Sequence, residues 1–236
     1  MDGDTQRTLL WAVCLVLILL VGRLYYPRRP PVFFTIEQVN PRLVELTHPT
    51  HVYQIQGELA RATQSLEWQR WAETELYPIG PDGTPSWDII PIYAFGKWIP
   101  QTRPYFPKLL KILTKIPGLQ TVLFSRMKGY TCLTAHQGWA VLANRVIRCH
   151  LGITVPGEAF ISVDGQRRYH QAGKLILFDD SHLHYAANLS SQPRTVLLVD
   201  VTRPKHLPPG ISQVQTSARL VEIVRQFLPG VTIETT

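Results

Sequence analysis

The amino-acid sequence predicts a mainly β fold, a jelly roll with flanking helices, preceded by an N-terminal transmembrane helix. Three patterns carry this prediction: an uncharged apolar stretch near the N-terminus, helical spacing of apolar residues up to about residue 118, and strand-like alternation from residue 119 onward. With 236 residues, the chain can form one sizeable core and an appendage. We divide it into a membrane anchor and linker (1–30), a mainly helical region (31–118), a β core (119–205) and a C-terminal helix and tail (206–236).

The N-terminal segment is predicted to cross a membrane once. Its uncharged part, Thr8 to Gly22, has 15 residues, and residues 8–26 approach the roughly 20 needed for a span when Tyr25 and Tyr26 lie at the interface. A cleaved signal peptide is the main alternative, but the start of the chain is not positive and no small-residue cleavage site follows. A buried helix of the folded domain is another alternative. Basic residues after the segment favour a cytoplasmic location for the remainder, with a lumenal location left open.

The region from residue 31 to residue 118 shows mainly helical spacing. Thr35 begins a short helix, and apolar residues recur near helical spacing from Tyr53 to Leu76. Pro107 to Ile116 predicts a short amphipathic helix with proline at its start. Trp68 and Trp71 are interpreted as core packing rather than as a cofactor site.

The β core is indicated by a series of short alternating segments separated by turn residues. Asp164-Gly165 is typical of a two-residue hairpin turn, and Ser217 to Leu228 predicts a C-terminal helix. Many short strands with turns between them favour a sandwich or barrel, here a jelly roll. The predicted strands are residues 121–127, 145–155, 159–163, 166–170, 174–178, 182–187 and 195–201.

The charge and the cysteine count exclude some classes of protein. The net charge of +7 is scattered, without a run of basic residues or a nucleic-acid-binding motif. It is therefore compatible with anionic membrane surfaces or acidic substrates, and we expect no nucleic acid partner. Three cysteines are too few and too irregular for a disulfide framework, which favours a reducing compartment.

Two histidines and an arginine in the β core carry the functional interpretation. Two neutral imidazoles, His136 and His184, can hold a divalent iron. Arg194 on a neighbouring strand can hold the far carboxylate of a keto-acid cosubstrate, because a guanidinium matches a planar carboxylate with two hydrogen bonds. Together these residues favour a metal-dependent oxygenase. Non-haem iron sites usually add a carboxylate two residues after the first histidine, where this chain has Gly138.

Other interpretations of these residues remain open. His182 lies two residues before His184 in the predicted strand and could be the ligand instead. Asp179 and Asp180 precede Ser181 at a bend, so they are interpreted as turn-forming residues rather than as the missing carboxylate. Each histidine could also be an ordinary surface or core residue.

The stretch from Ser125 to Pro204 resembles the aspartyl/asparaginyl β-hydroxylase family, of the cupin-like double-stranded β-helix superfamily. Animal members of that family also have glycine two residues after the first histidine and bind iron with two histidines. The segments VDGQ (163–166) and HYAAN (184–188) also resemble the membrane-bound bacterial lipid A hydroxylases of the same family, which generally keep His-x-Asp. The matching residues are Ser125, HQG at 136–138, RCHLG at 148–152, GKLILFDDS at 173–181, His184, Arg194, Asp200-Val201 and Pro204.

The resemblance implies an Fe(II)-dependent dioxygenase with 2-oxoglutarate and O2 as cosubstrates. His136 and His184 would ligate iron, and Arg194 with Ser125 would pair with the distal carboxylate of 2-oxoglutarate. Arg148 and His150, two apart on one strand, would contact the end of the cosubstrate nearer the metal. The substrate would be a peptidyl Asp/Asn side chain or a lipid acyl chain, and both stay open. A catalytically inactive cupin-like binding module at a membrane is the alternative function.

Overall fold

The computed structural model describes residues 11–17, 30–78 and 86–227. The chain divides into two compact units, Met1–Pro31 and Val32–Thr236. In the first unit, residues 11–17 form a helix, α1, and the rest of the predicted membrane segment lies outside the described residues. None of the helices in the described ranges is long and apolar enough to cross a membrane.

The second unit contains two antiparallel β-sheets and several short helices. Its strands are β1 (Phe33–Phe34), β2 (Gln69–Arg70), β3 (Trp87–Ala94), β4 (Lys97–Trp98), β5 (Leu119–Met127), β6 (Thr131–Cys132), β7 (Val146–Thr154), β8 (Ala159–Val163), β9 (Gln166–Tyr169), β10 (Leu175–Phe178), β11 (His184–Asn188) and β12 (Arg194–Thr202). Its α-helices are α2 (Ile36–Val39), α3 (Pro49–Ala62), α4 (Pro107–Leu113), α5 (Ala140–Ala143) and α6 (Ala218–Phe227). Pro41–Thr47, Thr74–Leu76 and Arg103–Tyr105 are 3-10 helices.

The strand order is that of a jelly roll, which confirms the predicted mainly β fold. The large sheet has the order β1-β10-β7-β12-β5-β3-β2, with β4 paired to β3, and the small sheet has the order β6-β11-β8-β9. From β5 to β12 the chain passes repeatedly between the two sheets, so that each contributes four strands to the β core.

Local sequence signals explain several element boundaries. Thr35 and Gln38 form a reciprocal capping box at the start of α2, and Pro49 occupies the first turn of α3. Asp164 and Gly165 both have positive φ, 45° and 77°, as expected for the predicted hairpin turn between β8 and β9.

The region predicted to be mainly helical contains strands as well as helices. The helix predicted from Tyr53 onward ends at Ala62, and β2 and β3 lie between residues 69 and 94. Strand β3 is buried along most of its length, so its run of isoleucines shows no alternation from which a strand could be distinguished from a helix. Pro91 is accommodated because the pairing of β3 with β5 shifts between Pro91 and Tyr93.

The main hydrophobic core lies between α3, α4 and one face of the large sheet. It includes Ile55 and Leu59 from α3, Leu109 and Leu113 from α4, and Phe124 from β5. Burial of these apolar side chains stabilises the unit by about 1.5–3 kcal/mol for each large residue. Because successive strand residues point to opposite faces, the alternate residues of the large sheet face away from these helices.

Candidate functional site

The predicted cosubstrate residues share the face of the large sheet that points away from α3 and α4. Arg194 on β12 is paired with Met127, which lies two residues from Ser125 on β5. Arg148 and His150 on β7 are paired with Asp200 and Leu198 of β12. Directly opposed residues of antiparallel strands project to the same side, so the register places Ser125, Arg148, His150 and Arg194 on one surface.

His136 and His184 are brought together by the backbone. His136 N donates to His184 O at 2.9 Å, and His184 N donates to His136 O at 2.8 Å. Their imidazole rings lie 4.4 Å apart between centroids. The pairing of residues that are distant in the sequence places two imidazoles side by side at the start of β11, as a site with two histidine ligands requires.

The second nitrogen of each imidazole already has a partner. His136 Nδ1 lies 2.7 Å from Thr134 O, and His184 Nδ1 lies 2.8 Å from His182 O. A carbonyl oxygen can only accept, so both rings carry their proton on Nδ1 and leave Nε2 unprotonated. Burial lowers the pKa of both histidines to about 4, with the neighbouring imidazole adding to the effect at His136. Both rings are therefore neutral near pH 7, the form that ligates metals.

Asp180 lies where a carboxylate after His136 would be expected. Its Oδ1 is 3.3 Å from His184 Nε2, and its backbone oxygen accepts from Gly138 N at 2.9 Å. A Cβ atom at position 138 would overlap Asp180 Oδ2 and would lie 2.8 Å from its Cγ. The glycine thus leaves room for a carboxylate that comes from another part of the chain. The sequence interpretation of Asp180 as only a turn-forming residue missed this position.

Asp179, in contrast, forms the predicted turn. Its Oδ1 accepts from Ser181 N at 3.0 Å and from Ser181 Oγ at 2.6 Å. Arg203 donates to both of its carboxylate oxygens, at 2.6 and 2.7 Å. Two adjacent aspartates therefore have different environments, and only Asp180 faces the histidine pair.

Arg148 connects Asp180 to the opposite strand. Its Nε and Nη2 donate to the two carboxylate oxygens of Asp200 at 2.8 and 2.9 Å, and its Nη1 donates to Asp180 Oδ1. These bonds use three of the five N–H groups of the guanidinium. The cosubstrate contact that the resemblance implies for Arg148 would therefore have to use the remaining two, and it stays a prediction.

Arg194 is fully buried and largely unpaired. It is 1% exposed, and its Nη2 has a 3.0 Å contact with Met127 Sδ. Within the described residues, Nε and Nη1 have no hydrogen-bond partner. Burial lowers the pKa of Arg194 to about 10, so the guanidinium is still charged near pH 7. A buried positive charge without a partner costs free energy of folding unless an anion binds to it.

Two pairs of polar side chains near Arg194 complete this part of the site. His150 Nδ1 lies 3.3 Å from His170 Nε2, and Trp87 Nε1 donates to Ser125 Oγ at 3.0 Å. Burial lowers the pKa of His150 and His170 well below the ordinary value, and Arg194 contributes at both. His170 was not among the predicted site residues, because nothing in the sequence pattern connects it with His150.

His182, the alternative ligand, contacts two carboxylates outside the histidine pair. Its Nδ1 lies 2.6 Å from Asp164 Oδ2, and its Nε2 lies 3.9 Å from Asp179 Oδ2. Strand β11 begins at His184, and His182 lies before it. The strand alternation that would place both histidines on one face therefore does not include His182. The geometry therefore favours His184 as the partner of His136.

A cavity is lined by His136 and by residues of the large sheet. Including its opening to solvent, it holds about 1070 Å³. Part of its lining comes from His136, Gln137, Gly138, Arg148 and Asp180. The remaining wall is mostly apolar: Trp71, Ala72, Trp87, Ile89, Pro91, Ala94, Phe95, Ile99, Leu123, Trp139, Leu142, Leu198 and Val224, with Glu73 and Thr121.

The site offers two metal-binding nitrogens rather than a larger ligand set. Across the described ranges, no group of three or more His, Cys, Asp or Glu side chains is arranged to hold a metal ion. The carboxylate nearest to the histidine pair, Asp180, is hydrogen-bonded to Arg148.

Comparison with known proteins identifies the family. Residues 50–204 match the family described as Aspartyl/Asparaginyl beta-hydroxylase. The match covers more than half of the chain and includes the histidine pair, Asp180 and Arg194. The chain belongs to the aspartyl/asparaginyl beta-hydroxylase family. This confirms the resemblance seen in the sequence.

Individual relatives come from both bacteria and animals. An ornithine lipid ester-linked acyl 2-hydroxylase of Rhizobium tropici is 31% identical over 182 residues, which cover 76% of this chain and 63% of that protein. The human aspartate beta-hydroxylase domain-containing protein 1 is 38% identical over 191 residues, covering 78% of this chain and 47% of that protein. This chain thus spans less than two thirds of both relatives.

A solved structure, a prolyl-4-hydroxylase of Pseudomonas putida, aligns at a TM-score of 0.45 with 14% identity, over 67% of this chain and 90% of that chain. This structural similarity is too low to support a statement about the chemistry or the substrate of this chain.

Proposed function

We propose that this chain is an Fe(II)- and 2-oxoglutarate-dependent dioxygenase that hydroxylates an aliphatic C–H bond of a lipid acyl chain. The observation that carries the cosubstrate assignment is the buried guanidinium of Arg194, whose Nε and Nη1 have no partner among the described residues. These unpaired N–H donors can bind carboxylate oxygens. A dicarboxylic keto acid would neutralise this charge at one end and reach the histidine pair at the other.

The residues present fit a divalent iron. His136 and His184 are neutral, carry their protons on Nδ1 and present Nε2, and imidazole nitrogen is a preferred ligand of iron. The two backbone carbonyls that hold Nδ1 fix the ring orientations before any metal binds. When bound, iron with 2-oxoglutarate and O2 supplies the oxidising chemistry that amino-acid side chains lack.

The other residues of the site would bind and orient the cosubstrate. Ser125 and Arg194 would hold the distal carboxylate. The contact between His150 Nδ1 and His170 Nε2 orients the ring of His150, and Arg148 has two N–H groups left for the end nearer the metal. Asp180 accepts from Arg148 Nη1 and lies beside His184 Nε2, where its charge would offset part of the charge of a bound metal.

The cavity favours an acyl chain over a peptidyl Asp/Asn side chain. Its wall beyond the histidine pair is mostly apolar, as expected for a site that buries hydrocarbon. An aspartyl side chain would need a cation there, and the guanidinium of the wall, Arg148, is already bound by Asp180 and Asp200. The rhizobial relative is named as an acyl hydroxylase, which agrees with this choice.

The test uses the full chain with Fe(II) and 2-oxoglutarate, with succinate measured by NMR and lipid products by mass spectrometry. We expect succinate formation and the gain of one oxygen on an acyl chain. Gain of oxygen on a peptide Asp/Asn side chain would replace the substrate assignment. Binding of iron and 2-oxoglutarate without any succinate would instead indicate the inactive cupin-like binding module.

We further propose that residues 8–26 anchor the chain in a membrane as a single span, with the catalytic unit on the cytoplasmic side. The apolar composition of that segment and the basic residues after it support this orientation. Protease treatment of sealed membrane vesicles of known sidedness tests it. Protection of the catalytic unit inside right-side-out cells and its cleavage in inverted vesicles is the expected result, and the reverse pattern would place the unit on the lumenal or external side.

A further inference from the structure

One carboxylate interrupts the apolar wall of the cavity. Glu73 lies in the segment between β2 and the 3-10 helix Thr74–Leu76, and it lines the cavity together with Trp71, Ala72 and Trp139. The proposed oxygenase chemistry gives this residue no task, because it contacts neither the histidine pair nor Arg194. Its position in a cavity proposed to bind substrate therefore requires its own explanation.

Glu73 is held by tryptophan rather than by a cation. Trp139 Nε1 donates to its Oε1 at 2.9 Å. None of the ion pairs identified between described residues involves Glu73. Burial raises the pKa of Glu73, and the nearby charges of Glu75 and Asp180 act in the same direction. A carboxylate in this environment lacks the positive partner that would compensate its desolvation.

The tryptophans beside Glu73 form a stack along the wall. The rings of Trp71 and Trp139 are 5.8 Å apart with an interplanar angle of 17°, and those of Trp71 and Trp87 are 4.9 Å apart at 26°. Aromatic surfaces attract organic cations through their negative faces, and they also pack against the hydrocarbon that surrounds such a cation. The stack and the carboxylate thus provide the two kinds of contact that an alkylammonium group makes.

We propose that Glu73, with Trp139 beside it, binds a positively charged group of the substrate, a primary or quaternary ammonium, while an attached apolar chain occupies the rest of the cavity. This inference rests on the proposed function, since it takes the cavity as the substrate site. It predicts the substrate selectivity: the enzyme acts on a cationic or zwitterionic amphiphile and rejects an anionic one. Repulsion by Glu73 and Asp180 disfavours a carboxylate at this position.

The test measures binding without iron or 2-oxoglutarate, so that it does not depend on catalysis. Octylamine, octanol and octanoate carry the same alkyl length with a positive, neutral and negative head at pH 7. Binding to the full chain is followed by tryptophan fluorescence and by calorimetry. We expect octylamine to bind roughly tenfold or more tighter than octanoate, with octanol between them. Equal binding of the three probes by the wild-type protein would overturn the proposal, whatever the variants do.

Glu73→Gln removes the charge and keeps an oxygen that can accept from Trp139. This variant should bind octanol as the wild type does and should lose most of the preference for octylamine. Glu75→Gln is the matched control: it removes a neighbouring exposed carboxylate and should keep the preference. A Glu73→Gln protein that still prefers octylamine as strongly as the wild type would exclude Glu73 as the recognition group. Succinate formation with no head-group preference would refute this inference alone, and the preference without succinate formation would refute the proposed reaction alone.

Discussion

Gly138 and Asp180 occupy one space in the site: any side chain at position 138 would overlap the Asp180 carboxylate, which lies beside His184. Position 138 thus has no carboxylate because the Asp180 carboxylate fills the space that a side chain there would need. A site of this shape accepts an acidic group from either position but not from both.

The overlap predicts strong coupling between the two positions. Gly138→Ala alone should lower the free energy of unfolding by about 1–3 kcal/mol, because the added methyl group forces Asp180 or Ala143 to move. In the double variant with Asp180→Ala the overlap with the carboxylate is gone and only the 2.9 Å approach to Ala143 Cβ remains, so the combined loss should be smaller than the sum of the single losses. Urea denaturation of the four proteins of this cycle measures the coupling. Additive losses would show that the two side chains do not compete for space.

Asp180 should matter for metal affinity more than its neighbour Asp179. Asp180→Asn keeps the shape of the side chain and removes the charge beside His184, and we expect Fe(II) affinity to fall about ten- to a hundredfold, the usual effect of changing a group next to a ligand. Asp179→Asn is the control, since it weakens the pair with Arg203 and should affect stability more than metal affinity. Anaerobic Fe(II) titration of both variants makes the comparison. Equal Fe(II) affinity in Asp180→Asn and the wild type would show that Asp180 does not contribute to metal binding.

The contrast between these two aspartates shows what sequence alone can predict. Short strand-like segments between turn residues predicted most strands of the β core, including β8 and β12, which are buried at nearly every position. Such signals could not predict β3, whose buried apolar run contains Pro91, or the role of Asp180, which reaches the histidine pair only through the fold. The family motif pointed to His136 and His184, and the fold favours His184 over His182 because β11 begins at His184. Glu73 lies in an irregular segment with no motif, so only the cavity shows it.

Arg194 should be important for function and unfavourable for stability of the ligand-free protein. Arg194→Met removes a buried charge that lacks a partner in the described structure and keeps an unbranched side chain against Met127. We expect the free energy of unfolding to rise by about 1–3 kcal/mol, while 2-oxoglutarate binding is lost and Fe(II) binding is retained.

The matched control for that change is Arg126→Met. Arg126 is paired with buried Asp88 at 2.7 Å, so the same substitution leaves a buried carboxylate without its cation and should destabilise the protein. Urea denaturation gives the stabilities, and calorimetry with the metal present gives the 2-oxoglutarate affinities. Destabilisation by Arg194→Met would mean that the guanidinium is satisfied without an anion.

The neutral histidines of the site predict acid sensitivity of the metal-free protein. Burial lowers the pKa of His136 and His184 from 6.5 to about 4, so between these values the unfolded chain binds protons that the folded chain does not. The free energy of unfolding should therefore be unaffected by these groups above pH 6.5 and should fall as the pH decreases toward 4. For His184 alone the loss over this window is about 3 kcal/mol. Urea denaturation at a series of pH values should show a flatter dependence for His184→Gln, whereas His206→Gln, at an exposed position, should follow the wild type. If His184→Gln and the wild type lost stability in parallel, the acid sensitivity would have to come from other groups.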